Sequence, residues 1–192
     1  VDIVKVGIGP GSICTTRLVA GIGVPQLSAV IDVKRSLKNY KTKIISDGGI
    51  KFSGDLAKAI TAGADAIMIG SLFSGTNESP GKIIRYKGKM YKNFRGMGSV
   101  GAMNAGSADR YYQKKNKDIK KYVPEGVEGL VKYKGTVEKI IFNLIGGLKS
   151  SMGYLGAKKI KDLQEKGEFL KISKAGFYES MVHNVDHVIK NE

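Results

Sequence analysis

Cys14 is the single thiol of the chain. It follows a glycine-rich stretch, Gly7-Ile8-Gly9-Pro10-Gly11-Ser12, that closes a β-branched run. Enzymes built on parallel strands keep their chemistry at such carboxyl ends. A thiol placed there, ahead of Thr15 and Thr16, becomes a nucleophile where backbone amides or a cation lower its pKa. In an inert setting the same residue is a small hydrophobe. The glycine spacing misses the dinucleotide fingerprint, because Ser12 stands where its third glycine belongs, and no Gly-Lys-Ser/Thr occurs.

Two further strand ends, Asp47-Gly48-Gly49 and Gly70-Ser71, have the form of the paired loops that bind phosphate in many barrels. Their glycines let backbone N–H groups approach an anion, and Asp47 can accept from ribose hydroxyls or cap a helix. Asp109-Arg110-Tyr111 and Pro124-Glu125-Gly126 offer acid–base groups. His183 and His187 share helical i, i+4 spacing but lack a carboxylate or cysteine partner, so no metal site is read from them.

The elements that must position these groups repeat one grammar. Residues 1–6, 43–46 and 64–69 read as buried apolar strands, each closed by a glycine turn. Helices are expected from Pro25 or Gln26 to about Leu37, over residues 54–62 with Ser53 as N-cap, and as a short stretch after Ser71. Such strand–helix units argue for a parallel α/β sheet, doubly wound or in a barrel. Residues 83–86 and 90–94 flank Lys87-Gly88 as a hairpin, and residues 95–130 read as a mobile insertion. Its lysines Lys114, Lys115, Lys117, Lys120 and Lys121 read as a solvated face. Val137, Ile140, Ile141, Leu144 and Ile145 form a core-facing helical stripe that Gly146-Gly147 is expected to terminate. A helix over 158–165, a strand-like 169–172 and a polar tail complete the chain.

The 192 residues carry 32 Lys plus Arg against 17 Asp plus Glu, a net charge of +15, with 42% hydrophobic content. That composition excludes disorder. The length suffices for one core but falls short of the roughly 250 residues of an eight-fold barrel. The lone cysteine excludes an intramolecular disulfide and makes a reducing, cytoplasmic setting the default. No apolar run of membrane-spanning length occurs, and residues 1–6 lack the order of a signal peptide. Without an initial methionine, the chain reads as a mature or excised piece that starts inside a strand. The charge is an electrostatic footprint for nucleic acid, but dispersed lysines and the lack of a known nucleic-acid fold argue against that partner.

Seven motifs in order, VGIGPGSICTTR (6–17), SDGGI (46–50), MIGS (68–71), RGMGSVGAM (95–103), DRYYQ (109–113), VPEGVEG (123–129) and GGLKSSMGYLGA (146–157), closely resemble the inosine 5′-monophosphate (IMP) dehydrogenases, in particular their bacterial-type branch. The resemblance implies the carboxyl half of a TIM (β/α)8 barrel, about strands six to eight, with a catalytic flap inserted. On that reading residues 1–80 are barrel units with the catalytic loop, 81–135 the hairpin and mobile flap, 136–172 closing helices and strand, and 173–192 a tail at a subunit interface. The first five strands, a regulatory module and the aspartate that holds the nicotinamide ribose would lie outside these residues, which alone should not make a competent enzyme.

The resemblance also implies roles. Cys14 matches the nucleophile that attacks C2 of IMP, so that hydride passes to NAD and a covalent xanthosine-monophosphate adduct awaits water. Arg110 and Tyr111 match the flap pair that enters the vacated dinucleotide site, Arg110 being the proposed base although arginine is normally fully protonated. Thr16 would position the water and, with Glu125, offer a second proton route. Ser12, Gly49, Gly70 and Ser71 match phosphate positions, Asp47 the ribose ligand, and Glu125 with backbone near Met97 and Gly98 the purine edge. Tyr154 matches the position that meets NAD's adenosine across a subunit boundary. Carbonyls of Gly9, Gly11 and Cys14, with Glu179, Ser180 and Met181 of a neighbouring subunit, match a potassium site and imply a homotetramer. Phe94 stands where the family usually has tyrosine, which removes one donor to the phosphate, and Met181-Val182 replaces the usual His-Pro. The rival GMP reductase shares the cysteine loop but lacks the Arg-Tyr pair; a non-catalytic nucleotide- or nucleic-acid-binding barrel is the reading from another class.

Overall fold

A computed structural model describes residues 1–114 and 118–188, so Lys115 and Lys117 of the lysine run lie outside the described residues. Strands β1 (Ile3–Val6), β2 (Lys43–Asp47) and β3 (Ala66–Met68) form a parallel sheet in chain order. Its register sets Val6 opposite Ser46 and Asp47 opposite Met68, so all three glycine turns leave one edge of the sheet together. After β1 come α1 (Thr16–Val19) and α2 (Gln26–Ser36); α3 (Ser53–Thr61) crosses from β2 to β3. Val6, Val30, Ile44, Ala62 and Ala64 make the core between sheet and helices.

The strands are covered on one face only within this chain. Val6, Ile44 and Ser46 are buried, whereas Ile3 and Met68 are exposed, which corrects the expectation of strands buried throughout. The start of α3 also differs from expectation. Phe52, not Ser53, is its N-cap, and the Asp55 carboxylate accepts from the N–H of Lys51 and Phe52 at 3.0 Å each. The first-turn carboxylate thus reaches back to the N-cap backbone N–H, the acidic half of a capping box. After Gly70 the chain forms consecutive turns rather than a helix.

Strands β4 (Ile83–Tyr86), β5 (Lys89–Arg95) and β6 (Glu128–Lys132) form a second, antiparallel sheet. Lys87 and Gly88 both take positive φ, 48° and 74°, the signature of the two-residue hairpin turn whose twist matches its strands. The described residues between β5 and β6 are organised, not structureless. It holds α4 (Val100–Ala102), a π-type turn Met103–Ser107 and 3-10 turns Ala108–Tyr111 and Ile119–Lys121. Buried Met103, Ala108 and Tyr122 supply its own small core.

Helix α5 (Val137–Tyr154) runs straight through Gly146-Gly147 instead of ending there. A Cβ at position 147 would lie 2.3 Å from Ser53 Cβ, so this glycine brings α5 against α3. Of the expected stripe, Leu144 is buried but Ile141 and Ile145 are exposed, because α3 covers only one edge of it. Next comes α6 (Ile160–Lys166), whose Leu163 packs with Ile60 and Ala157. Residues 169–172 form no strand, and the tail carries a helix, α7 (Lys174–Glu179), with no buried residue.

Candidate active site

The glycine turn after β1, the turns after β2 and β3, and the loop before α4 surround a cleft of about 300 Å³. Its walls contain Gly9, Gly11, Ser12, Cys14, Asp47, Gly49, Gly70, Ser71, Phe94, Met97, Gly98, Arg110, Tyr111 and Glu125. Positions spread over more than a hundred residues of sequence therefore face one space.

Backbone, not side chains, joins the halves of the cleft. Thr15 N–H donates to Glu125 O at 2.8 Å, Val127 N–H to Ile13 O at 3.0 Å, Gly96 N–H to Val127 O at 3.0 Å and Glu125 N–H to Gly98 O at 2.9 Å. Cys14 and Gly126 form an antiparallel bridge. The thiol loop is thus one rung of a ladder that continues into residues 96–98. Gly98 must be glycine there, since a Cβ would lie 2.8 Å from Glu125 carbonyl carbon and 2.9 Å from Tyr111 Cζ.

The Cys14 thiol is half-buried and donates to Thr16 Oγ1 at 3.1 Å. Tyr111 approaches the same space. Burial raises its phenol pKa above 10, the charges of Cys14 and Glu125 push the same way, and Arg110, which also hydrogen-bonds to it, pulls against them. The phenol therefore stays protonated through neutral pH and is a donor at the cleft. Its neighbour Tyr112 is fully exposed and left-handed at φ 56°, which turns the chain back toward Gln113, whose side chain bonds to Val123 O at 2.8 Å.

Several backbone amides around the cleft are unpaired. Among the described residues, the N–H groups of Ser12, Gly49, Gly70, Ser71, Met97 and Gly98 have no protein acceptor. Convergent free amides at strand ends form an anion-binding concavity. Asp47, at the floor, accepts from Lys5 Nζ. Gln26 donates to Val6 O at 2.8 Å and Ser46 Oγ at 3.1 Å, tying β1 to β2 at the mouth of the sheet.

Lys5 and Gln26 were not among the expected site residues. Their signals were a charged residue between Val4 and Val6 in an apolar strand, and a polar residue opening a helix directly after Pro25. Tyr154 does not join the cleft; it is 93% exposed at the end of α5. Residues 179–181 are likewise apart: Ser180 N–H bonds to Gly176 O and Met181 N–H to Tyr178 O, all within the tail. His183 Nδ1 bonds to Met181 O, and no cluster of three metal-ligating side chains occurs among the described residues. No helix of the described residues is long and apolar enough to cross a membrane.

Comparison with known proteins places this arrangement. The family model of the IMP dehydrogenase / GMP reductase domain matches residues 1–183. Inosine-5′-monophosphate dehydrogenase of Rhizobium tropici is 59% identical over 96% of this chain and 37% of its own length. The protein of that name from Methanocaldococcus jannaschii is 56% identical over 100% of this chain and 39% of its own. Among solved structures, a cysteine-to-alanine GMP reductase from Trypanosoma brucei in complex with guanosine 5′-monophosphate superposes with TM-score 0.84 at 46% identity, over 94% of this chain and 36% of that one. The chain spans less than two fifths of the length of these relatives. Matched from its first residue through residue 183, it belongs to the IMP dehydrogenase / GMP reductase family.

Proposed function

We propose that the chain is the nucleophile-bearing part of an NAD-dependent IMP dehydrogenase, oxidising IMP to xanthosine monophosphate on the route to guanine nucleotides. The observation that carries this reading is that the Cys14 thiol and the Arg110-Tyr111 pair face one cleft walled by free amides. The three parallel strands in chain order support their place as about strands six to eight of a (β/α)8 barrel. The division already given follows: residues 1–80 barrel units, 81–135 hairpin and flap, 136–172 closing elements and 173–192 an interface tail of a cytoplasmic homotetramer.

The free amides of Ser12, Gly49, Gly70 and Ser71 would hold the phosphate, Asp47 the ribose, and Glu125 with the amides of Met97 and Gly98 the purine edge. The Cys14 thiol passes its proton through Thr16 Oγ1, which accepts from it at 3.1 Å, to solvent as its sulfur adds to C2 of IMP. NAD would supply the acceptor for the hydride that leaves C2, and Tyr154 is the residue offered to its adenosine. Thr16, 3.1 Å from the sulfur, then orients a water toward C2. The water oxygen adds to C2 as one of its protons passes to Arg110 in its neutral form, or through Thr16 to the Glu125 carboxylate; the C2–S bond then breaks and the sulfur takes a proton back from solvent. Neutral Tyr111 donates beside the arginine. Among the described residues the carbonyls of Gly9 and Cys14 accept no protein donor and that of Gly11 accepts one, from Cys14 N–H at 3.2 Å. Such hard oxygen ligands fit an alkali cation, here potassium, completed by Glu179, Ser180 and Met181 of a neighbouring subunit.

The likeness to a GMP reductase keeps one rival, reductive deamination of GMP, which needs no hydrolysis and hence no Arg110-Tyr111 pair. The test is NADH formation from IMP and NAD in potassium buffer, with the complementary barrel half supplied, beside Cys14→Ala and Arg110→Ala. The dehydrogenase reading expects no adduct in the first variant and, in the second, an intact single-turnover NADH burst before slow steady-state turnover. Consumption of GMP and NADPH without any IMP oxidation would favour the reductase.

A further inference from the structure

Two of the four amides assigned above to the phosphate, those of Gly70 and Ser71, belong to a tight turn whose far side is gripped by one lysine. Phe73 and Ser74 N–H donate to Gly70 O at 3.1 and 2.9 Å, so residues 70–74 close a single hydrogen-bonded turn. In such a turn the leading N–H groups emerge on one side and the trailing carbonyls on the other. Gly70 and Ser71 line the cleft. On the other side, Lys134 Nζ donates to Ser71 O at 2.8 Å and to Leu72 O at 3.0 Å, and Ser74 Oγ to Ser71 O at 2.6 Å.

The lysine is not needed to fix its own segment. Lys134 N–H bonds to Gly75 O at 2.9 Å and Asn77 N–H to Gly135 O at 2.8 Å, which holds residues 134–135 along the turn by backbone alone. Among the described residues, no carboxylate forms an ion pair with the ammonium. Its partial burial lowers the lysine pKa from 10.5, while the two carbonyl oxygens it bonds are the groups that hold the charge.

We infer that Lys134 is a positioning residue for the substrate's phosphate: its ammonium anchors the Ser71 and Leu72 carbonyls away from the cleft, aims the Gly70 and Ser71 amides into it, and places an unneutralised positive charge behind them. The inference rests on the phosphate reading proposed above. It assigns to Lys134 a preference for a phosphate monoester dianion over the same nucleoside without phosphate.

The experiment measures binding of IMP and of inosine to protein carrying this chain, as wild type, Lys134→Met and Lys134→Arg. Methionine keeps the stem and removes the charge; arginine keeps the charge. Lys134→Met is expected to weaken IMP on the order of tenfold while inosine changes by less than about twofold, and raised salt should narrow the IMP difference. Lys134→Arg should recover most of the loss. Equal losses for IMP and inosine would reveal a merely structural lysine and overturn the inference, as would unchanged IMP binding in Lys134→Met. Wild-type protein that binds IMP no better than inosine would overturn the phosphate reading itself, a separate outcome visible before any variant is made.

Discussion

Replacing Gly147 by alanine sets two effects of known sign against each other. In a helix interior, glycine to alanine stabilises by about 0.5–1 kcal/mol, because alanine restricts the unfolded chain and exposes less backbone. At position 147 the new Cβ would sit 2.3 Å from both Ser53 Cβ and Oγ. Rotating Ser53 moves Oγ but leaves Cβ, so α5 must retreat from α3, an overpacking cost of about 1–3 kcal/mol. Overpacking wins over most of these ranges, and Gly147→Ala is expected to destabilise by about 1 kcal/mol, the middle of a net of about 0–2.5 kcal/mol. Gly146→Ala is the internal control, since a Cβ there meets nothing within 4 Å; it should stabilise by about 0.5–1 kcal/mol. At about 2–4 °C per kcal/mol for a domain of this size, the overpacking cost should separate the two variants by about 2–12 °C in thermal unfolding. Ser53→Gly leaves Ser53 Cα, 3.4 Å from the new Cβ, as the nearest atom. Combined with Gly147→Ala it should show coupling of about 1–2 kcal/mol. Equal unfolding temperatures for the two alanine variants, with no coupling to position 53, would refute the close α3–α5 contact.

Gly98→Ala should disturb both sides of the cleft, since its Cβ would lie 2.8 Å from the Glu125 carbonyl carbon and 2.9 Å from Tyr111 Cζ. Its Cβ displaces Tyr111, so hydrolysis of the Cys14 adduct should slow at least tenfold in rapid-quench kinetics; an unchanged hydrolysis rate would separate Tyr111 from the site. Asp65 accepts from Lys43 Nζ and Ile44 N–H at 2.9 Å each. Burial pushes its pKa up, but these bonds and the charges of Lys43 and Lys34 outweigh it, leaving the pKa below 3.8. Its stabilisation is therefore complete above pH 3.8 and is lost as pH falls through the lower folded value. Urea titrations of wild type and Asp65→Asn should converge below that range and diverge above it; a constant gap at every pH would contradict the assignment.

What could be read in the sequence was what neighbours in sequence decide. Strand β2 and helix α2 appear within a residue or so of expectation because their apolar spacing is local, and Lys87-Gly88 carries its own turn chemistry. The flap did not read as structure, since Met103, Ala108 and Tyr122 make a core only once the chain folds back on itself, and lysines and glycines separate them. Strand β6 was hidden for a related reason: its register is dictated by β5, with Phe94 opposite Gly129. The glycines at 146 and 147 looked like a stop because the contact that justifies one of them lies on a helix almost a hundred residues earlier. In the site, the thiol loop and the glycine turns stood out by composition. Lys5 and Lys134 did not, because a chain with 32 Lys plus Arg gives no lysine prominence until its partner is seen.

The backbone ladder through Ile13, Val127 and Gly96 changes how variants of the site should be interpreted. Its bonds join main chain to main chain, so truncating Arg110, Tyr111 or Glu125 removes chemistry without unseating Cys14. Loss of hydrolysis in such variants can then be assigned to the missing side chain. The reverse holds where the ladder depends on the absence of a side chain, as at Gly98: there a single methyl group moves the purine wall and the flap pair together. Side-chain truncations should split adduct formation from hydrolysis, whereas added bulk on the ladder should impair both. That contrast follows from a nucleophile and a flap held in one hydrogen-bonded frame, and two independently hinged loops would not produce it.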